Sequence, residues 1–349
     1  MYQFKFALLA ILILPVLSYA QETKSKEIKK QYTVSSNASL AVDGKYGDVH
    51  VETWDQNKVD VQIKIEITNR SASKAQSYLD KITIAIDDSN ADNLSFKTNI
   101  DGNINNNGDE RMEISYRFKV PKTINLDLKN SYGNLYLQDI NGKVDLNVAY
   151  GNFKVGSLTA PVNIKLSYGN GEVENIADGE VDVRYSNLDI EGAGNLDVSN
   201  SYSNIDFGDS KDVDLVNKYG NLTWKSVNTL DGYSKYGNVK IDKLYKSLDF
   251  EVMYGGGIKV EWISKAFTAI DVESSYATVA LTFEKGMSAM LDAEMKYCNL
   301  KNYDIEFDHS FIDESGSIKE YKGKLGKGSF GSKITIASEY GTVKIGYID

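Results

Sequence analysis

A tyrosine followed by a small residue and then asparagine recurs through the middle of the chain, and this phrase is the first pattern that could support chemistry. Successive tyrosines are 18, 18, 17, 17, 17, 17 and 18 residues apart. Aromatic rings in a regular row can form a structural spine, or they can present a strip that binds glycans or another protein. The candidate binding tyrosines are Tyr132, Tyr150, Tyr168, Tyr185, Tyr202, Tyr219, Tyr236 and Tyr254.

A second row of candidate residues stands five positions before the tyrosines and is mostly acidic. Its candidate binding members are Asp145, Asp197, Asp214, Asp231 and Asp249. Carboxylates stacked one strand apart repel each other by roughly 1 kcal/mol per pair in water. Bound cations, or corner N–H groups and lysines such as Lys129, Lys143 and Lys165, would offset that repulsion. No repeat carries the Gly-Gly-x-Gly-x-Asp pattern of calcium-loaded solenoids, so we predict no metal site.

The remaining reactive side chains do not form a recognisable catalytic set. The two histidines, His50 and His309, are distant in sequence, and Cys298, the only cysteine, stands at the small corner position after Tyr297. The net charge of −10 argues against nucleic acid as a partner. We therefore predict no catalytic residue and no cofactor. A polysaccharide-active lyase or hydrolase stays open as the alternative, because paired carboxylates can serve that chemistry.

The fixed spacing predicts the architecture that holds these rows. Each repeat has two short segments in which apolar residues alternate, one before and one after the tyrosine corner, and it has no room for a helix. Repeats that present the same corner in the same order should stack in parallel, about 4.8 Å apart. The sequence therefore predicts an all-β fold, a right-handed parallel β-solenoid with 17–18-residue rungs. Looser copies stand at Tyr276 and Tyr297, and outlying copies at Tyr46 and Tyr340.

The sequence leaves the direction of the tyrosine rings open. The tyrosines share the parity of the core residues, which favours an inward orientation. The residue two positions earlier is often polar, as at Asn130, Asn200 and Ser234, which places the rings near a rim and favours partial exposure. The asparagine that follows the corner tolerates left-handed backbone, and stacked asparagines can bond from rung to rung.

The first 120 residues lack the regular series of tyrosine corners. Residues 1–20 are predicted to be a signal peptide, with Lys5, an apolar run of twelve residues and a small-residue cleavage site. Residues 21–120 are predicted to form an N-terminal β region with a first rung and a helix-containing insertion, and residues 121–349 are predicted to form the solenoid domain.

Three local predictions concern the N-terminal region. The polar start, Gln21 to Gln31, is expected to be mobile. Ser73 and Gln76 fit a capping box for one short helix, Ser73 to Asp80. Asp101 to Glu110 is interpreted as a solvated hairpin loop rather than a calcium loop.

The layout resembles the exported putative-adhesin β-solenoid proteins of Bacteroidetes-type bacteria, which are akin to auto-transporter adhesin head groups. The matching residues are Gly47-Asp48, Trp54-Asp55, Val120-Pro121-Lys122 and the Tyr-Gly-Asn corners, where tyrosine replaces the family's usual serine. The resemblance implies a non-catalytic protein of the periplasm, the outer cell surface or the medium. Its expected partner is a glycan, a matrix component or an envelope protein. No transmembrane segment is expected after signal removal.

Overall fold

The computed structural model describes residues 21–102, 111–329 and 331–347, and it leaves out the side chains of 309–315. The predicted signal peptide and most of the Asp101 to Glu110 loop therefore lie outside the described residues. Within them the fold is all-β with one helix, α1 (Ala72–Asp80). The N-terminal strands are β1 (Glu22–Thr33), β2 (Ser39–Lys45), β3 (Val49–Trp54), β4 (Lys58–Asn69), β5 (Ile82–Asp87), β6 (Asn93–Ile100) and β7 (Arg111–Pro121).

The repeat region contributes twenty further strands. The first ten are β8 (Asn125–Ser131), β9 (Leu135–Leu137), β10 (Val144–Ala149), β11 (Phe153–Leu158), β12 (Val162–Ser167), β13 (Asn170–Arg184), β14 (Asn187–Ser201), β15 (Asn204–Lys218), β16 (Asn221–Lys235) and β17 (Asn238–Ile241). The last ten are β18 (Leu244–Met253), β19 (Gly257–Ile263), β20 (Ala269–Ser275), β21 (Thr278–Phe283), β22 (Ser288–Lys296), β23 (Leu300–Tyr303), β24 (Phe307–Ser315), β25 (Ile318–Gly326), β26 (Ser332–Glu339) and β27 (Thr342–Tyr347).

These strands stack into two parallel ladders that meet at the tyrosine corners. The segment before each tyrosine pairs in parallel with its counterpart in the next rung, and we call this column the pre-tyrosine ladder. The segments after each tyrosine form the post-tyrosine ladder in the same way. Equivalent residues stand opposite each other, as with Asp197 and Asp214. Side chains of one type therefore form columns.

The core lies between the inward faces of the two ladders. Leu146, Ile164 and Leu215 face inward from the pre-tyrosine ladder and are fully or almost fully buried. Phe207 and Trp224 face inward from the post-tyrosine ladder and stack with their ring centroids 4.5 Å apart. Each fully buried side chain of this size contributes about 1.5–3 kcal/mol, so the period-2 pattern of the repeat fixes which face points inward.

The N-terminal region covers the first rung. Strands β2 and β3 pair with β8 and β9, so residues 58–121 form an insertion between adjacent rungs. Strand β7 pairs in parallel with β3, β4 pairs antiparallel with β7, and β1 pairs antiparallel with β4 along its whole length. The prediction that Gln21 to Gln31 is mobile is therefore wrong. Its backbone is held by β4, while Ile28 and Tyr32 pack against the core.

The helix is confirmed, but its predicted cap is wrong. Helix α1 begins after Ser71, whose side chain makes no capping hydrogen bond, so Ser73 lies inside the first turn. The apolar face is formed by Ala75 and Leu79, which are buried. The helix is thus held by packing rather than by a capping box.

The rungs at the C-terminal end do not follow chain order. The rung of Tyr340, formed by β26 and β27, lies between the rung of Tyr276 and the rung of Tyr297. The hairpin of β24 and β25 connects them, and β25 pairs antiparallel with β22. The last segment of the chain is therefore inserted beside a rung that precedes it in sequence.

Candidate functional site

Twelve corner tyrosines stack into one continuous row, which we call the tyrosine strip. Neighbouring ring centroids are 4.6–5.5 Å apart, and neighbouring rings are tilted by 2–18°. The eleven steps add up to about 55 Å. In spatial order the members are Tyr46, Tyr132, Tyr150, Tyr168, Tyr185, Tyr202, Tyr219, Tyr236, Tyr254, Tyr276, Tyr340 and Tyr297.

The backbone of each corner tyrosine turns its ring outward. All twelve have a positive φ, between 52° and 61°. This left-handed conformation reverses the alternation of the strand, so a residue with inward parity points to solvent. Eleven of the rings are 38–52% exposed and Tyr297 is 55% exposed. The inward orientation favoured by parity is therefore wrong. The corner asparagines, which tolerate a left-handed backbone, do not adopt it, since none of them has a positive φ.

Buried polar side chains support the corner from inside. Asn200 and Asn217 are almost completely buried, and their amides donate to the carbonyls of Ser203 (3.0 Å) and Gly220 (3.1 Å). The rim interpretation of these positions is therefore wrong, although the rings are partly exposed as it expected. The amide N–H groups satisfy these corner carbonyls, while Asn200 Oδ1 is buried without a hydrogen-bond partner among the described residues. The corners of Tyr150 and Tyr168 follow Val148 and Leu166 and have the same positive φ, so the amides support a bend that other corners form without them.

An asparagine ladder runs beside the strip, as predicted. Asn152 Nδ2 donates to Asn134 Oδ1 at 3.2 Å, and the same bond recurs up to Asn238 and Asn221 at 2.6 Å. Several of these oxygens also accept a backbone N–H from the next rung. Each amide nitrogen has two hydrogens, so one N–H per rung is not used by the ladder. The ladder therefore presents donors beside the phenol rings.

The strip exposes ring edges and hydroxyls rather than ring faces. Inside the row each ring face is covered by its neighbours. None of the twelve hydroxyls is hydrogen-bonded to another residue in the described part of the chain, whereas the buried Tyr116 hydroxyl bonds to Thr98 Oγ1 at 2.6 Å. The edge of an aromatic ring carries the positive part of its quadrupole. The corner surface is thus a row of hydroxyls, ring edges and amide N–H groups.

The acidic column is also assembled, on the outward face of the pre-tyrosine ladder. The five candidate aspartates are exposed and stand in register: Asp145, Asp197, Asp214, Asp231 and Asp249. Asn163 and Glu180 occupy the two rungs between the first two. Burial, and then the charges of Asp249 and Asp214, raise the pKa of Asp231.

The predicted lysine compensation of this column is only partly present. Lys129 Nζ lies 3.2 Å from Asp127 Oδ2. Lys143 and Lys165 form no ion pair with any residue that the structure describes. Within the described ranges, no group of three or more His, Cys, Asp or Glu is arranged to hold a metal ion. The thiol of Cys298 is buried at its corner and contacts the Ser338 carbonyl at 3.3 Å.

The outward face of the post-tyrosine ladder carries charged columns that the sequence reasoning missed. Glu172, Asp189 and Asp206 stand on successive rungs, and burial followed by the charges of Asp206 and Glu172 raises the pKa of Asp189. Further along the same column stand Lys240 and Lys259. The signal was the fourth residue after each tyrosine, or the fifth after Tyr254, which can be compared between repeats once they are aligned.

The chain was compared with family models, curated proteins and solved structures, and the names of similar solved structures match the family that the sequence resembles. No family model and no curated protein matches the chain. A putative cell adhesion protein from Clostridium sporogenes is similar at 13% identity and a TM-score of 0.22, covering 94% of this chain and 100% of its own. A putative adhesin from Bacteroides fragilis is similar at 14% identity and a TM-score of 0.26, covering 93% and 97%.

A third solved structure, a putative adhesin from Parabacteroides distasonis, is similar at 11% identity and a TM-score of 0.30, covering 92% of this chain and 97% of its own. The names agree with the family that the corner motifs resemble. In the part of the chain that is described, no helix is both long and apolar enough to cross a membrane.

Proposed function

We propose that this chain is a non-catalytic interaction protein of the cell envelope or cell surface, and that its tyrosine strip binds a linear glycan. The observation that carries the proposal is the row of twelve partly exposed phenols in a left-handed backbone conformation. That conformation costs a non-glycine residue roughly 1–2 kcal/mol, and glycine would avoid the cost. A bulky aromatic residue at all twelve corners therefore indicates that the side chain itself is needed.

The chemistry of the strip favours a partner rich in hydrogen-bond acceptors. Ring edges, phenol O–H groups and the unused amide N–H groups of the asparagine ladder all attract oxygen atoms. A polysaccharide presents hydroxyl and ether oxygens along its length. Many weak contacts in register can give an avidity that no single contact provides.

The spacing of the strip disfavours an extended peptide as the partner. Side chains on one side of a β-strand recur every two residues, about 6.6–6.8 Å apart. The rings recur every 4.6–5.5 Å, so a peptide running along the strip would lose register within a few rungs. A matrix or envelope protein is therefore a less suitable partner than a glycan.

The experiment compares polysaccharide binding by matched tyrosine-to-phenylalanine variants. Phenylalanine keeps the stacked ring and removes only the hydroxyl. The strip variant carries Tyr185→Phe, Tyr202→Phe, Tyr219→Phe and Tyr236→Phe. The control variant carries the same change at Tyr78, Tyr136, Tyr233 and Tyr245, which lie off the strip. Binding to a panel of neutral and acidic polysaccharides is measured by biolayer interferometry, and reducing ends or unsaturated products are assayed in the same samples.

We expect the strip variant to bind its best polysaccharide about tenfold or more weakly, while the control binds like the parent. Four lost hydrogen bonds at about 0.5–1.5 kcal/mol each exceed the 1.4 kcal/mol that corresponds to a factor of ten. Equal binding by both variants would rule out recognition by the strip hydroxyls. Product formation that one Asp or Glu substitution abolishes would replace the proposal with a polysaccharide-active enzyme.

Three finer features belong to the same proposal. The two parallel ladders joined at each corner support a β-solenoid, for which we propose a right-handed coil, the usual sense for parallel strand connections. We propose that the chain is exported through the signal peptide at residues 1–20. We also propose that the N-terminal β region ends at residue 120 and the solenoid domain begins at residue 121.

A further inference from the structure

A groove on the outward face of the post-tyrosine ladder begins where the asparagine ladder ends. After Asn238, the positions that stand in register are Gly257, Thr278 and Thr342, so the row of amides stops. Glycine is also required at the preceding position, Gly256, because a Cβ atom there would lie 1.6 Å from Asn238 Oδ1. The smaller side chains of Thr278, Ala280 and Thr282 leave a groove of about 550 Å³.

All the charged side chains that line this groove are positive. They are Lys240, Lys259 and Lys344, which stand in one column with Ala280 between the last two. Lys301 continues the column beside Lys344. We call this feature the lysine groove. Its four lysines lie within five rungs, roughly 19 Å at the spacing of adjacent strands.

The lysines at the two ends of the groove differ in their ion pairs. Lys240 Nζ lies 2.8 Å from Asp242 Oδ1, and Lys259 Nζ lies 2.7 Å from Glu261 Oε1. Lys344 and Lys301 are exposed and form no ion pair with the residues that the structure describes. Within the described residues, the far end of the groove thus carries two lysines without an ion pair on a chain that is acidic as a whole.

Aromatic and small residues complete the far wall. Tyr303 is 52% exposed and lies against Gly346, where an added Cβ would meet Tyr303 Cβ and its carbonyl oxygen at 3.2 Å. Tyr347 is partly buried at the same end of the groove. The groove therefore combines a line of cations with aromatic side chains that can pack against an apolar ring surface.

We propose that the lysine groove binds an anionic polysaccharide whose carboxylate or sulfate groups pair with Lys259, Lys344 and Lys301. The charge complementarity is local, and a linear polymer fits lysines that are aligned along the ladder axis. The groove lies outside the tyrosine strip, so this site does not depend on the function proposed for the strip.

The net charge of the chain favours a polymer over an anionic membrane. A membrane surface attracts or repels the whole facing side of a protein, and this chain carries a net charge of −10. A narrow polymer meets only the groove, where all the charged side chains of the lining are positive.

The experiment measures binding of polygalacturonate, dextran sulfate and neutral dextran to the full mature chain. The groove variant carries Lys259→Gln, Lys301→Gln and Lys344→Gln. The control variant carries Lys143→Gln, Lys165→Gln and Lys211→Gln, which removes the same charge from exposed positions outside the groove. Vesicles of phosphatidylglycerol and phosphatidylcholine form a separate arm, and circular dichroism checks that each variant is folded.

We expect at least one acidic polymer to bind the parent and the control with similar affinity, and the folded groove variant about tenfold or more weakly. Neutral dextran should not compete, and added salt should weaken the binding. Equal loss in both variants, or no binding of either acidic polymer, would overturn the proposal. Binding of anionic vesicles through the same lysines, without polymer binding, would assign the groove to lipid instead. The tyrosine-to-phenylalanine strip variant should bind the acidic polymer normally, which separates failure of this site from failure of the strip.

Discussion

Because the corner tyrosines have a left-handed backbone, we expect glycine to destabilise the fold less than alanine does at a corner. Tyr202 has a φ of 55°, and its ring stacks between Tyr185 at 5.0 Å and Tyr219 at 4.6 Å. The change Tyr202→Ala removes both stacking contacts and keeps a Cβ atom in the strained conformation. The change Tyr202→Gly removes the same contacts and also removes the strain.

The magnitudes follow from these two effects. Each stacked aromatic pair contributes about 0.5–1.5 kcal/mol, so Tyr202→Ala should lower the free energy of unfolding by about 1–3 kcal/mol. A left-handed residue with a Cβ costs about 1–2 kcal/mol, part of which glycine loses again through its larger unfolded-state entropy. We therefore expect the Gly variant to be about 1 kcal/mol more stable than the Ala variant.

Urea denaturation followed by circular dichroism measures the difference, and Ser199 supplies the control. Ser199 is exposed in the extended part of β14, so alanine should be more stable than glycine there by about 0.5–1 kcal/mol. The denaturant slope must stay the same among variants, because stacked repeats can unfold in parts. If glycine is as unfavourable relative to alanine at position 202 as at position 199, the tyrosine corner is not strained and the reasoning fails.

Three further predictions concern the ladders and the buried phenol. Asn204→Ala breaks the amide bonds to Asn187 and Asn221, so urea denaturation should show a loss of about 1–3 kcal/mol. Burial and the neighbouring carboxylates raise the pKa of Asp231, so its ionisation lowers stability as the pH rises past its ordinary value. Asp231→Asn should therefore be more stabilising at pH 7 than at about pH 3. Burial raises the pKa of Tyr116 to about 12, so Tyr116→Phe should remove a phenolate absorbance change near that pH in a spectrophotometric titration.

The periodic part of the fold could be predicted because one physical pattern is repeated many times. Identical corners 17 or 18 residues apart place identical residues on adjacent strands, which explains why the acidic column and the asparagine ladder were both predictable. The inward faces followed from the same alternation, as Leu146 and Ile164 illustrate. The alternation of apolar and polar residues also predicted the N-terminal β region.

The direction of the tyrosine rings could not be predicted because it depends on one dihedral angle. Tyrosine rarely adopts a positive φ, and asparagine does so more readily, so residue type pointed to the wrong member of the corner. Local residue type does not set the angle, since the corner of Tyr202 follows Asn200, the corner of Tyr150 follows Val148, and both have a positive φ. Parity reverses at such a residue, and a strand rule then gives the wrong face.

The order of the last rungs had no local signal either. The segments that end at Tyr297 and Tyr340 carry the same phrase, and only their long-range pairing decides which of them contacts the rung of Tyr276. The lysine groove was missed for this reason, since Lys344 and Lys301 become neighbours through that insertion. The start of helix α1 and the order of strand β1 were predicted wrongly, because packing rather than local residue type holds both elements in place.

The antiparallel elements at both ends explain why the strip has a definite length. A parallel ladder ends in unpaired backbone groups at the same spacing as its own rungs, and such an edge would accept further strands. At one end, β6 covers β2 and β7 covers β3, and the layer then turns antiparallel through β4 and the lysine-rich β1. At the other end, β25 covers β22, the last strand of the pre-tyrosine ladder, in antiparallel orientation, and β23 pairs only with β27 among the described strands. None of these covering strands carries a tyrosine corner, so the aromatic row stops at Tyr46 and Tyr297. The strip is therefore a surface of fixed extent, which suits recognition of a polymer segment rather than open-ended assembly.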